Sequence, residues 1–198
     1  MFCILPFEVD FYKRFGMKVD YVMANPPFNL KKWRDSKELL TDYRWKIDNE
    51  GDYLVPPESN ANYAWILHIL SKLNPRTGVA GFLLSNGALG DMDTLNIRRE
   101  LIKKDKVETI IILPRNMFYS TDISVTIWIL NQNKKGGDWH ERKLRNRTDE
   151  ILFIDLRTWN DQIYMKKYVK FEPERIKEIA AIYHNWQIEG TDGRNYAK

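Results

Sequence analysis

Asp20-Tyr21-Val22-Met23-Ala24-Asn25-Pro26-Pro27-Phe28 is the stretch on which the reading of this chain turns. Val19 to Ala24 is a short apolar run, and Asn25-Pro26-Pro27 stops it, because proline has no N–H to give to a sheet ladder. An Asn-Pro-Pro-aromatic turn thus directly follows an apolar strand. Asn-Pro alone is a common turn signal. The four residues together, after a strand in an α/β pattern, are far more specific.

Working outward, residues 29–60 are polar, aromatic and irregular, and a loop of that length in a compact domain is usually functional or mobile. Trp33 and Trp45, among Lys31, Lys32 and Arg34, suit either a nucleic-acid surface or packing of the loop on the domain. Tyr63, Ile66, Leu67, Leu70 and Leu73 predict a helix over Asn62 to Leu73, capped by Asn60 or Asn62 and ended by Pro75. Val79 to Ser85 reads as a buried strand. Leu95 to Lys104 reads as a helix capped by Asp93 or Thr94. Val107 to Leu113 and Ser124 to Leu130 are strands joined by about ten residues, too few for a helical crossover, so an antiparallel hairpin is expected.

Residues 132–150 form a charged connector that includes Lys134 and Arg147, read as a solvated loop or as a phosphate-contacting one. Glu150 to Leu156 is a further strand. Pro173 opens an amphipathic helix with Ile176, Ile179, Ala180, Tyr183 and Trp186 on one side. The expected fold is α/β, a mostly parallel sheet with a C-terminal antiparallel hairpin and helices on both faces. Residues 1–132 are expected to form one part. In residues 133–198 the connector, the extra strand and the last helix are expected to pack on that same domain.

Composition sets bounds. The chain has 198 residues, 43% hydrophobic and 29% charged, with a net charge of +4, which is compatible with nucleic acid without requiring it. Cys3 is the single cysteine, which excludes an intramolecular disulfide and argues against a zinc cluster. No apolar run reaches the length of a spanning helix. Met1 to Phe7 is apolar but lacks a basic start and a cleavage site, and reads as a strand or an exposed stub. A cytoplasmic protein without a membrane partner is expected. His68 reads as a helix-surface or satisfied, partly buried residue. His140 and His184 lack metal-ligand spacing, and Asp91 and Asp93 read as loop and capping residues.

The turn carries a chemistry. An exocyclic amine on a nucleobase is a poor nucleophile because its lone pair is delocalised into the ring. Two acceptors aimed at its hydrogens favour a more tetrahedral nitrogen and leave the lone pair facing a methyl donor. The Asn25 side-chain oxygen and the Pro26 carbonyl can be those acceptors, with Pro27 keeping the carbonyl out of any ladder. Phe28 offers a face for a base extruded from its duplex. The alternative is a turn that merely ends a strand.

Together with Asn29, the opening stretch resembles the catalytic motif of the adenine-N6 methyltransferase (M) subunits of type I restriction–modification systems. Asp42-Tyr43-Arg44-Trp45, Pro56-Pro57 and Asn60-Ala61-Asn62-Tyr63-Ala64-Trp65-Ile66-Leu67-His68-Ile69-Leu70 are similar to the next stretch of those subunits. So are Leu113-Pro114-Arg115-Asn116-Met117-Phe118-Tyr119-Ser120-Thr121-Asp122-Ile123, the strand through Leu130, Leu152-Phe153-Ile154-Asp155 and the final helix. The resemblance covers roughly residues 17–187. It implies a partial S-adenosylmethionine-dependent, Rossmann-like methyltransferase sheet, the C-terminal half of such a core. It also implies methyl transfer to a flipped adenine in DNA, and specificity and restriction subunits as partners. Phe118 or Tyr119 is placed near the flipped base, or else plugs the end of the sheet. The family usually has Gly where this chain has Ser120 and Asp122, and Pro where it has Ser124, which implies a loop of different shape.

The methyl-donor turn is missing. No Gly-x-Gly follows a strand, and residues 132–198 hold none either, so a permuted order does not supply one. Only 24 residues precede Asn25, too few for three strands and their helices. The chain alone is therefore expected to be inactive. Two other readings are open: a glutamine-N5 or RNA amine methyltransferase, which shares the Asn-Pro-Pro-aromatic turn, and a non-catalytic module that docks on restriction-system subunits.

Overall fold

A computed structural model describes residues 18–48, 51–118, 122–139, 141–159, 163–164 and 168–188. The expectations for Met1 to Phe7, Tyr119, Ser120 and His140 lie outside them.

Strands β1 (Tyr21–Ala24), β2 (Val79–Ser85), β3 (Val107–Ile112), β4 (Val125–Asn131) and β7 (Leu152–Asp155) form one sheet in the order β1-β2-β4-β3-β7. β1 pairs parallel with β2, and β3 parallel with β7. β4 lies antiparallel between β2 and β3, so it alone runs against the other four. The expected hairpin of Val107 to Leu113 with Ser124 to Leu130 is present, and its second strand wedges inward beside β2. Two short ribbons complete the strands: β5 (Gly137–Trp139) with β6 (Arg142–Leu144), and β8 (Ile163–Tyr164) with β9 (Tyr168–Val169).

Alternation along the strands sends side chains to two cores. On one face Ala80, Phe82, Leu84, Ile110, Trp128 and Leu130 pack against helices α1 (Asn62–Lys72) and α2 (Leu95–Lys103). Phe82 stacks on Trp128 with centroids 6.5 Å apart, and Tyr63 meets Trp128 edge-on at 6.2 Å. On the other face Ile111, Val125, Leu152 and Ile154 pack against Ile179, Ile182, Tyr183 and Trp186 of α3 (Pro173–Gln187). Helices therefore cover both faces. Ile176 departs from its expected side and is 56% exposed. Gly78 is needed where it stands: a Cβ there would lie 2.7 Å from the Asn74 carbonyl oxygen at the sharp turn between α1 and β2.

The charged connector is more than a solvated loop. It carries the β5–β6 ribbon, and Lys134 and Arg147 are buried. Arg147 Nε donates to Glu108 at 2.9 Å with both side chains fully enclosed, and Lys134 pairs with Asp105. Asn131 and Tyr183 also donate to Glu108, at 2.9 and 2.5 Å. This cluster ties β3, β4, the connector and α3 together. Burial and the Glu108 carboxylate push the Tyr183 phenol well above its ordinary range.

Caps differ in detail. Asn60 Oδ1 accepts from the Asn62 N–H at 2.9 Å, so Asn60 serves the start of α1. At α2 the Thr94 hydroxyl makes no cap bond and donates back to the Asp91 carbonyl.

Candidate active site

The carboxyl ends of β1 and β2, the amino end of α1 and the loop after β3 meet on one side of the sheet. That is where open α/β sheets usually bind ligands. Asn25 and Pro27 are exposed, Pro26 is buried and Phe28 is half-buried. Among the described residues, neither the Asn25 side chain nor the Pro26 carbonyl is engaged in a hydrogen bond, so both acceptors are available. Phe118, from the loop after β3, meets Phe28 edge-on with centroids 5.8 Å apart and planes at 71°. The two aromatics singled out from sequence, 90 positions apart, thus line one edge of the turn.

Sequence reasoning missed how the turn is held. Asn29 adopts φ +53°, a left-handed conformation that Asn tolerates. Its N–H donates to Asn62 Oδ1 at 3.0 Å, while Asn62 Nδ2 and Ser85 Oγ each donate to Asn29 Oδ1 at 2.9 Å. Asn62 was visible as a helix start and Ser85 as a strand end, but nothing in the sequence said that they converge on Asn29.

The long loop packs rather than waves. Trp45 is fully buried, meets Trp33 edge-on at 5.8 Å and donates to the Leu39 carbonyl at 2.5 Å. Arg34 clips the loop through the carbonyls of Asp35, Ser36 and Pro56. Arg44 is buried against Asp42 at 2.8 Å and lies 3.2 Å from His68 Nδ1, which makes His68 a satisfied buried residue. Lys31, Lys32 and Lys37 of this loop are exposed. The Tyr63 hydroxyl, raised by burial, donates to the Ala88 carbonyl at 2.8 Å and fixes α1 to the segment after β2.

The only described glycines with positive φ are Gly136 and Gly137, in the connector and at the start of the β5–β6 ribbon, not after a parallel strand. A cleft of about 290 Å³ lined by Thr77, Val79, Trp139, Arg142, His184 and Gln187 opens at the other end of β2, away from the turn. The described residues contain no group of three His, Cys, Asp or Glu able to hold a metal, and no helix long and apolar enough to cross a membrane.

Residues 10–198 match the family model described as N-6 DNA Methylase. The chain belongs to the N-6 DNA methylase family. It is 38% identical over 174 residues to the type I restriction enzyme HindI methylase subunit of Haemophilus influenzae, covering 86% of this chain and 34% of that protein. It is 36% identical over 169 residues to the MjaIX methylase subunit of Methanocaldococcus jannaschii, covering 84% and 28%. Among solved structures it is similar to the methyltransferase subunit of a type I restriction–modification system from Streptococcus thermophilus, with TM-score 0.73, 25% identity, and 91% and 34% of the two chains covered. This N-6 DNA methylase chain thus spans about a third of the length of these relatives.

Proposed function

We propose that this chain is the base-holding part of an adenine-N6 DNA methyltransferase, the M subunit of a type I restriction–modification system. The observation that carries the reading is the Asn25–Pro26 acceptor pair, not engaged in hydrogen bonds among the described residues, beside the Phe28–Phe118 aromatic edge. Asn25 Oδ1 and the Pro26 carbonyl accept the two amine hydrogens of an adenine extruded from the duplex, and Phe28 stacks on its ring. Pro27 keeps the Pro26 carbonyl from pairing. Phe118 closes the base pocket from the β3 side. S-adenosylmethionine supplies the methyl group. Residues 1–132 form the C-terminal half of the methyltransferase core, and 133–198 an appendage packed on it. The enzyme acts in the cytoplasm on duplex DNA, together with specificity and restriction subunits.

The test is methylation by the complete gene product with its specificity subunit, comparing duplex DNA, RNA and a glutamine-bearing protein. Label appearing as N6-methyladenine supports the reading; label on RNA or on glutamine alone overturns it.

A further inference from the structure

The acceptors and the aromatic face of the turn must be aimed, and neither proline ring nor strand ladder fixes the chain beyond Pro27. We infer that Asn29 is the positioning residue that sets the direction of the Asn25–Phe28 turn, acting through Asn62 and Ser85. This inference rests on the adenine-holding reading of that turn.

The hydrogen-bond logic leaves one assignment. The Asn29 N–H points at the Asn62 carboxamide, so an oxygen must face it. The amide nitrogen of Asn62 then faces the Asn29 side chain, which must present its own oxygen. Ser85 Oγ donates to that same oxygen, filling its second lone pair, and Asn60 Nδ2 approaches at 3.4 Å. Asn62 and Ser85 are 2% and 4% exposed, so they belong to the rigid body of the domain, not to the loop. The next backbone bond, from the Ala61 N–H to the Leu30 carbonyl at 2.9 Å, continues the clamp. A segment leaving a sheet at a double proline is thus bolted to the end of β2 and the start of α1 one residue after its aromatic. Only a short side chain that accepts at Oδ1 and tolerates positive φ does this, which restricts the position to Asn or Asp.

The experiment compares Asn29→Gly, which keeps the backbone conformation and deletes the acceptor, with Asn29→Asp, which keeps both. In the complete gene product, Asn29→Gly is expected to lower kcat roughly tenfold or more, with KM for DNA changed less than about threefold. Asn29→Asp is expected to keep kcat within about threefold while raising KM, since its charge repels phosphate. Wild-type kcat in Asn29→Gly, or equal loss of kcat in both variants, overturns the inference. If the wild-type enzyme does not methylate adenine, the functional reading fails on its own account. Amide hydrogen exchange at residue 29 of the 198-residue chain then decides the positioning role: slow exchange in the wild type and Asn29→Asp with roughly tenfold faster exchange in Asn29→Gly supports it, and equal rates in all three overturn it.

Discussion

The Phe28 ring lies edge-on to the Phe118 ring at 5.8 Å, joining the turn after β1 to the loop after β3. Edge-to-face packing leaves at least one face of Phe28 outside the pair, whichever ring presents its edge. Replacing Phe28 with Ala in the complete gene product should cost about 1–3 kcal/mol of base stacking. Phe28→Tyr should recover most of it. Fluorescence of 2-aminopurine at the target position reads extrusion directly, and unchanged enhancement in Phe28→Ala would count against the stacking role.

Asn25 is exposed and carries no packing duty. Asn25→Ala should lower kcat by about 10²–10³-fold, the range seen when one preorganised polar group is removed from a transition-state site. The melting temperature should stay within about 2 °C, because such surface substitutions rarely exceed ~0.5 kcal/mol. A large thermal shift would show that Asn25 is structural.

Glu108 and Arg147 form a fully buried ion pair bordered by Asn131 and Tyr183. Arg147→Met strands the Glu108 carboxylate and should destabilise by about 3–5 kcal/mol. Adding Glu108→Gln removes the stranded charge and should recover part of the loss. The midpoint of urea unfolding at constant slope measures both.

His184 is held below its ordinary pKa of 6.5, first by burial and then by the positive charge of Arg142. The unfolded chain therefore binds a proton more readily than the folded one. Stability should accordingly be highest above pH 6.5 and decline as the pH falls through 6.5 toward the lower folded value. His184→Gln should flatten that decline, seen as a smaller change in melting temperature between about pH 7.5 and about 5.5. An unchanged slope would assign the acid sensitivity to other groups.

The described residues offer no glycine turn after a parallel strand. The 198-residue chain by itself should show no micromolar heat of binding with S-adenosylmethionine in calorimetry. Micromolar binding would place a donor site within it.

Where the sequence was legible, periodicity and punctuation made it so. Val79–Ser85 was read to the residue and α1 to within one, because each is an uninterrupted apolar pattern ended by a turn signal. The ten-residue link implied antiparallel β3 and β4 by length alone, but not that β4 would insert next to β2. Lys134 and Arg147 looked like surface charge, since a sequence lists cations without showing which carboxylate encloses them. Trp45 and Trp33 could not be divided between DNA contact and packing until the loop's own carbonyls were seen to accept their N–H groups.

The turn is local: two prolines end a strand whatever surrounds them, and the Asn, the freed carbonyl and the aromatic come from covalent geometry. How that turn is aimed depends on the assembled sheet. Asn29, Asn62 and Ser85 are separated by 33 and 23 positions and meet because β1, β2 and α1 place their ends on the same side of the sheet. A hydrogen bond between distant residues leaves no period or spacing in the chain, so it becomes visible only when the sheet brings its donors and acceptor to 2.9 Å.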